Sequence, residues 1–333
     1  MRMCAGRTPR TWGREERMTA SKLTVSEPAL HHRPDFFIVG APKCATSSLQ
    51  ALLIRHPGIF MCSPKEPHYF SSDLPGLAEV KNAAGYDALF DTAPKGASLG
   101  EASAFYLMSH DAPRRIHAVN QGARIILSLR NPADAARSWY HQLRDGFRED
   151  QTTFQASWAL QEARAHGYRL PPYCPEPRQL QYREIYSYAD QVARYLEVFG
   201  RDQVLILRFE EIAQAPDAVI ARILNFLRLD PFSGPVALPQ TNIRRQSRAL
   251  WLTQMISAPP PVLRPLVGPA KRVLNALGIQ PSVVMMKHLS RPAAPGPVAQ
   301  QDPDFRAALL AAFKTDIDRL EQMIDADLSA WRR

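Results

Sequence analysis

The stretch that most constrains this 333-residue chain is Phe36 to Leu49, FFIVGAPKCATSSL. Four consecutive apolar residues, Phe36 to Val39, stop at Gly40 and Pro42, and a run this short between turn residues predicts a strand buried on both faces. Thr46, Ser47 and Ser48 then lead into Leu49, Leu52 and Leu53 at helical spacing. The order strand, loop, helix leaves several backbone N–H groups unpaired at the positive end of a helix dipole. Such a turn binds phosphate-like anions. An ordinary strand–loop–helix of an α/β domain has the same outline, so the reading needs support elsewhere in the chain.

Against the nucleotide-binding loop G-x-x-x-x-G-K-[ST], Gly40 takes the first Gly, Ala45 the second, Thr46 the Lys and Ser47 the hydroxyl residue. The lysine is displaced. Lys43 stands inside the loop, whereas the usual lysine reaches the β/γ-phosphates beside a hydroxyl that holds Mg²⁺. This cradle suits a nucleotide with one phosphate-like group at its 5′ end, attacked near Lys43. Here the chain resembles the sulfotransferases that use 3′-phosphoadenosine-5′-phosphosulfate (PAPS). Their loop reads roughly P-K-x-G-T-[ST]-x-L, and Pro42 to Leu49 departs from it only at Ala45. The resemblance implies that Lys43 stabilises the departing nucleotide, and that Cys44, Ala45, Thr46, Ser47 and Ser48 hold its 5′-phosphate.

The second signal is ARIILSLRNPADAARSWYH, Ala123 to His141. Ile125 to Leu129 reads as another buried strand, ended by Arg130-Asn131-Pro132, with a helix from about Ala133. Arg130 at the strand's carboxyl end and Ser138 in the helix are placed to converge on one anion, where ligands of open α/β sheets bind. In PAPS sulfotransferases the similar segment R-[DN]-P-x-x-R-x-x-S-x-[YW] binds the 3′-phosphate through its first Arg and its Ser. That assigns Arg130 and Ser138. A late basic loop closes over the nucleotide in this family, which adds Arg244 and Arg245 of Thr241 to Arg248; a solvated basic helix start reads the same way.

About twenty residues beyond the phosphate loop lies Lys65-Glu66-Pro67-His68-Tyr69-Phe70. A K-E-P-x-x-F segment is similar to one in the glycan-modifying and bacterial sulfotransferases, where the Glu is a candidate general base. Glu66 inherits that role, with His68 competing for it or contacting the acceptor. Glu101, in a G-E-x-S-x-x-Y-L segment, is a second carboxylate for the acceptor, or a strand-end charge. Which of Glu66, His68 and Glu101 is the base stays open.

Composition sets outer bounds. A formal charge of +9 and 45% hydrophobic content fit a folded domain with an anionic ligand. Cys4, Cys44, Cys62 and Cys174 are too scattered for a disulfide framework or a zinc site and fit a reducing compartment. Residues 1–33 are expected to be a disordered basic tail, with Met1 or Met18 as the start. Residues 34–333 form one domain, with 245–300 a Pro-rich, weakly matching helical insertion. No run reaches the length of a membrane span, although peripheral contact by 258–300 is an alternative to a satellite core there. Residues 142–187, broken by prolines, are expected to be a mobile loop between helices.

The fold expectation is α/β, a central parallel sheet flanked by helices, similar to P-loop-containing nucleotide hydrolases, with a helical C-terminal part. The function expectation is a cytoplasmic PAPS-dependent sulfotransferase acting on a hydroxyl or amine of a small-molecule or glycan acceptor, a carbohydrate or glycolipid in the first place, with no metal and no nucleic-acid partner. A P-loop small-molecule kinase and a non-catalytic nucleotide-binding protein are the alternatives.

Overall fold

The computed structural model describes residues 30–232 and 302–333 in full, and the backbone of residues 245–247 and 290–292. Strands β1 (Phe36–Gly40), β2 (Ile59–Met61), β3 (Ser98–Ala102), β4 (Arg124–Leu129) and β5 (Val204–Arg208) form one parallel sheet in the order β2-β3-β1-β4-β5. Among the described residues the helices are α1 (Thr46–Leu53), α2 (Ala83–Asp87), α3 (Ala112–Val119), α4 (Pro132–Asp145), α5 (Phe154–Ala159) and α6 (Gln161–Ala165). They continue as α7 (Tyr182–Tyr186), α8 (Tyr188–Phe199), α9 (Phe209–Gln214), α10 (Pro216–Leu227) and α11 (Pro303–Ile324). The expected α/β class with a helical C-terminal part is the one observed.

Every residue of β1 is buried, which is why the strand reads as an unbroken apolar run. Its side chains alternate between two cores. Phe37 and Val39 join α8 and α11 through Val192, Tyr195, Phe313 and Ile317, while Phe36 and Ile38 join α1 and α10 through Leu49, Leu52, Ile220 and Ile223. The chain builds β2 and β3 on one side of β1, then crosses to build β4 and β5 on the other. The reversal leaves a crevice at the carboxyl ends of β1 and β4. Gly40 closes β1 there because a Cβ would fall 2.6 Å from Leu107 Cβ and 2.7 Å from the Ala104 carbonyl oxygen.

Two boundaries differ from expectation. Leu30 is packed into the core, and the His31 and His32 N–H groups donate to Asp87 (3.2 and 3.0 Å), so residues 30–33 belong to the domain. The rest of the expected tail lies outside the described residues. Residues 142–187 are not a mobile loop. They complete α4 and form α5, α6 and α7, held by a buried pair in which Arg164 donates to both Glu149 carboxylate oxygens at 2.7 Å. Past β3 the chain turns through residues 103–109 without a helix, and the next helix is α3.

Most of the expected insertion, 245–300, lies outside the described residues. Its described backbone contains an antiparallel pair, Arg245–Ser247 with Ser290–Pro292. No helix among the described residues is long and apolar enough to cross a membrane.

Candidate active site

The loop between β1 and α1 is fixed from three sides. The Ala41 N–H donates to the Ser128 carbonyl of β4 (2.7 Å), the Ser128 hydroxyl donates to the Cys44 carbonyl, and Tyr186 donates to the Pro42 carbonyl (3.3 Å). Two non-glycine residues, Lys43 and Ala45, take left-handed backbone conformations there, at φ 64° and 68°. Ala45 is the N-cap of α1, and it offers no side-chain acceptor to the first-turn N–H groups. No acidic residue occupies that turn either. The helix therefore begins with its donors uncapped and its dipole unopposed, the arrangement that attracts an anion.

Around this turn Lys43, Thr46, Ser47, Glu66, Trp139 and Gln142 line one narrow cleft of about 70 Å³. Lys43 donates to Gln142 Oε1 at 2.9 Å. Burial, and behind it the charge of Arg130, push the Lys43 pKa below the ordinary lysine value. Lys65 donates to Ser47 Oγ at 2.7 Å and to Thr46 Oγ1 at 3.4 Å. Its ammonium also lies 3.3 Å from Glu66 Oε1, and His68 Nε2 lies 3.7 Å from Glu66 Oε2. Burial pushes the Glu66 carboxyl up, but the imidazole of His68 and the ammonium of Lys65 beside it outweigh burial and hold the pKa at about 2. Glu66 is therefore ionised across the physiological range.

The expected residues are not all brought together. Lys43, Ala45, Thr46, Ser47 and Glu66 meet in the cleft. Arg130 follows β4 at the same end of the sheet, its guanidinium 4.3 Å from the centre of the Phe209 ring, and Ser138 is half-buried on α4. Cys44 and Ser48 face inward. The Cys44 thiol sits 3.7 Å from the Tyr188 hydroxyl, and burial pushes its pKa up to about 12, which leaves only its backbone for a ligand. Arg244 lies outside the described residues, and Arg245 is described by its backbone alone.

Glu101 is not at the cleft surface. It is fully buried at the end of β3 and accepts from the hydroxyls of Tyr86 (2.6 Å), Ser103 (2.7 Å) and Tyr106 (3.3 Å). With no face open to solvent, it does not touch an acceptor. It acts as an anchor instead: Ser103 Oγ accepts the His68 N–H (3.3 Å) and Tyr106 Oη accepts the Phe70 N–H (3.2 Å), so the carboxylate fixes the segment that carries Glu66. His68 is buried in ring contact with Phe105 and Tyr106, and its Nδ1 has no hydrogen-bond partner.

Gln142, Trp139 and Lys65 belong to the site without having been assigned from the sequence. Gln142 stands four residues after Ser138 on α4, a helical spacing that puts both on one face. Trp139 also donates its indole N–H to the Gln179 carbonyl at 2.9 Å, and the adjacent Arg178 lines a wider groove of about 730 Å³ with Asp73, Tyr168, Glu176 and Glu184. Among the described residues no group of His, Cys, Asp and Glu has the arrangement of a metal site.

Residues 33–244 match the family model described as "Sulfotransferase domain". The chain is 30% identical over 214 residues to a bifunctional heparan sulfate N-deacetylase/N-sulfotransferase 4 of Mus musculus, covering 62% of this chain and 23% of the relative. It is 28% identical over 298 residues to carbohydrate sulfotransferase 15 of Mus musculus, covering 71% and 52%. The chain thus spans between about a quarter and about half of the length of these curated relatives. Among solved structures, a sulfotransferase from Alicyclobacillus acidocaldarius superposes with a TM-score of 0.65 at 31% identity, covering 91% of this chain and 100% of that one.

Proposed function

The chain belongs to the sulfotransferase domain family, and from that premise we propose that it transfers a sulfuryl group from PAPS to a hydroxyl or amine of a carbohydrate. The observation that carries the reading is the meeting of Lys43, Glu66, Thr46 and Ser47 in one cleft at an uncapped helix N-terminus. The residues present suit a phosphosulfate: two ammonium groups, hydroxyl donors and a first turn that the N-cap side chain leaves uncapped, with no acidic side chain in that turn.

When bound, PAPS supplies a sulfuryl group on a phosphate leaving group. Thr46, Ser47 and the first-turn N–H groups hold the 5′-phosphate, while Arg130 and Ser138 hold the 3′-phosphate that distinguishes this nucleotide. Glu66 takes the proton of the acceptor as the new bond from acceptor to sulfur forms and the bond from sulfur to the bridging phosphate oxygen breaks. Lys43, steadied by Gln142, stabilises the charge that develops on that bridging oxygen. Glu66 is favoured over His68 because it lines the cleft, whereas His68 is buried behind it. In this reading the acceptor extends into the 730 Å³ groove lined by Arg178, where the exposed Tyr168 ring meets a sugar face.

The test is transfer of ³⁵S from labelled PAPS to de-N-sulfated heparan oligosaccharides and unsulfated glucans. Labelled saccharide formed by the wild type and abolished in Glu66→Gln supports the reading. Turnover of ATP with Mg²⁺, with no sulfuryl transfer, would establish the kinase alternative.

A further inference from the structure

Lys65 has no part in the transfer scheme above, yet it touches both halves of it. Its ammonium donates to Ser47 Oγ (2.7 Å) and Thr46 Oγ1 (3.4 Å) on the first turn of α1, and the same atom lies 3.3 Å from Glu66 Oε1. One cation is thus shared between the cradle for the donor and the carboxylate that serves as base. The other titratable groups near Glu66 are His68, 3.7 Å away on the opposite oxygen, and Lys43 across the cleft, which is held by Gln142. Behind His68 lies the buried Glu101. The remaining walls that face Glu66, from Phe105, Trp139 and Gln142, are neutral.

We propose that Lys65 is a donor-sensing positioning residue: it pairs with Glu66 while the phosphate loop is empty and turns to the phosphosulfate when the donor fills the loop, releasing Glu66 to act as base. The inference rests on the sulfotransferase reading. A carboxylate paired with an ammonium is a weak proton acceptor, because proton affinity falls with each favourable contact to the charged form. General-base efficiency falls with it. A phosphosulfate at Ser47, with one negative charge on each half, competes for the same ammonium and needs only a small movement of a half-buried lysine to win it. Loss of the Lys65 contact strengthens the base at the moment the sulfuryl group is in place. Acceptor deprotonation is thereby tied to donor occupancy.

The experiment follows the ¹³C carboxyl signal of Glu66 against pH, identified by its absence in Glu66→Gln, with and without saturating 3′-phosphoadenosine-5′-phosphate. In free wild type the signal stays in its ionised position down to about pH 3, and in the nucleotide complex its titration moves up toward, without reaching, the ordinary glutamate value of about 4.3, because His68 stays in place. In Lys65→Gln the free protein already shows most of that rise, and the nucleotide moves the titration by less than half the wild-type shift. Lys65→Arg keeps the wild-type pattern. If the nucleotide binds but moves Glu66 equally in wild type and Lys65→Gln, or in neither, Lys65 does not sense the donor and the inference is overturned alone. If the nucleotide does not bind wild type at all, the sulfotransferase reading falls and takes this inference with it.

Discussion

The ammonium of Lys43 rests 2.9 Å from Oε1 of Gln142, a residue 99 positions later in the chain. The contact fixes where the lysine points without cancelling its charge, because a carboxamide oxygen accepts a hydrogen bond but carries no net charge. Replacing it with a carboxylate would neutralise the cation that the nucleotide needs. Gln142→Glu is expected to weaken binding of 3′-phosphoadenosine-5′-phosphate about tenfold, or about 1.4 kcal/mol. Gln142→Leu should keep that affinity within about threefold and lower kcat instead, since it removes the aim and leaves the charge. Calorimetry paired with initial rates separates the two effects.

Ala45 stands at φ 68°, where a side chain crowds the following carbonyl. The left-handed conformation costs about 1–2 kcal/mol for an L-residue, and glycine gives back about 0.4–1 kcal/mol through the entropy of the unfolded chain. Ala45→Gly should therefore raise stability by up to about 1 kcal/mol, read as a higher urea midpoint at unchanged slope. A lower midpoint would mean that the methyl group contributes packing that outweighs the strain.

Burial raises the pKa of Glu101, and the hydroxyls of Tyr86, Ser103 and Tyr106 only partly offset it. The native state thus holds this proton more tightly than the unfolded chain does. The stability contributed is fully present below the unfolded value of about 4.3 and is lost as pH rises through the raised folded value. Glu101→Gln should cost about 1–3 kcal/mol through its mismatched hydroxyl partners. The gap between wild type and variant should be widest at acid pH and narrow as pH rises. Urea unfolding across that window checks the sign, and a gap that widens with pH would contradict it.

Tyr168 is 61% exposed on the wall of the 730 Å³ groove. If the acceptor lies there, Tyr168→Ala removes an aromatic face from the saccharide and leaves the nucleotide site untouched. The expected result is a rise of about fivefold in acceptor KM, near 1 kcal/mol, with the nucleotide Kd unchanged. An unaltered KM would put the acceptor elsewhere.

The parts of the site that were legible in the sequence are contiguous. The phosphate loop, the Arg130 strand end and the Lys65 to Phe70 segment each carry their chemistry within a few residues, so each declares itself by pattern. Gln142 did not, because its role depends on α4 passing over the loop, which no local pattern encodes. Glu101 was misplaced for a related reason: a carboxylate at a strand end looks the same whether it faces water or three buried hydroxyls. Residues 142–187 read as a loop because α5, α6 and α7 have only six, five and five residues, too few to display a helical period. Their order comes from the long-range pairing of Arg164 with Glu149.

The most direct measurement is calorimetric titration with 3′-phosphoadenosine-5′-phosphate, alongside ATP with Mg²⁺, of the wild type and of Arg130→Ala and Ser138→Ala. Saturable binding of the bisphosphate by the wild type, weakened at least about tenfold in both variants, is the result predicted for a PAPS-dependent sulfotransferase. Binding of ATP with Mg²⁺ and none of the bisphosphate would contradict it.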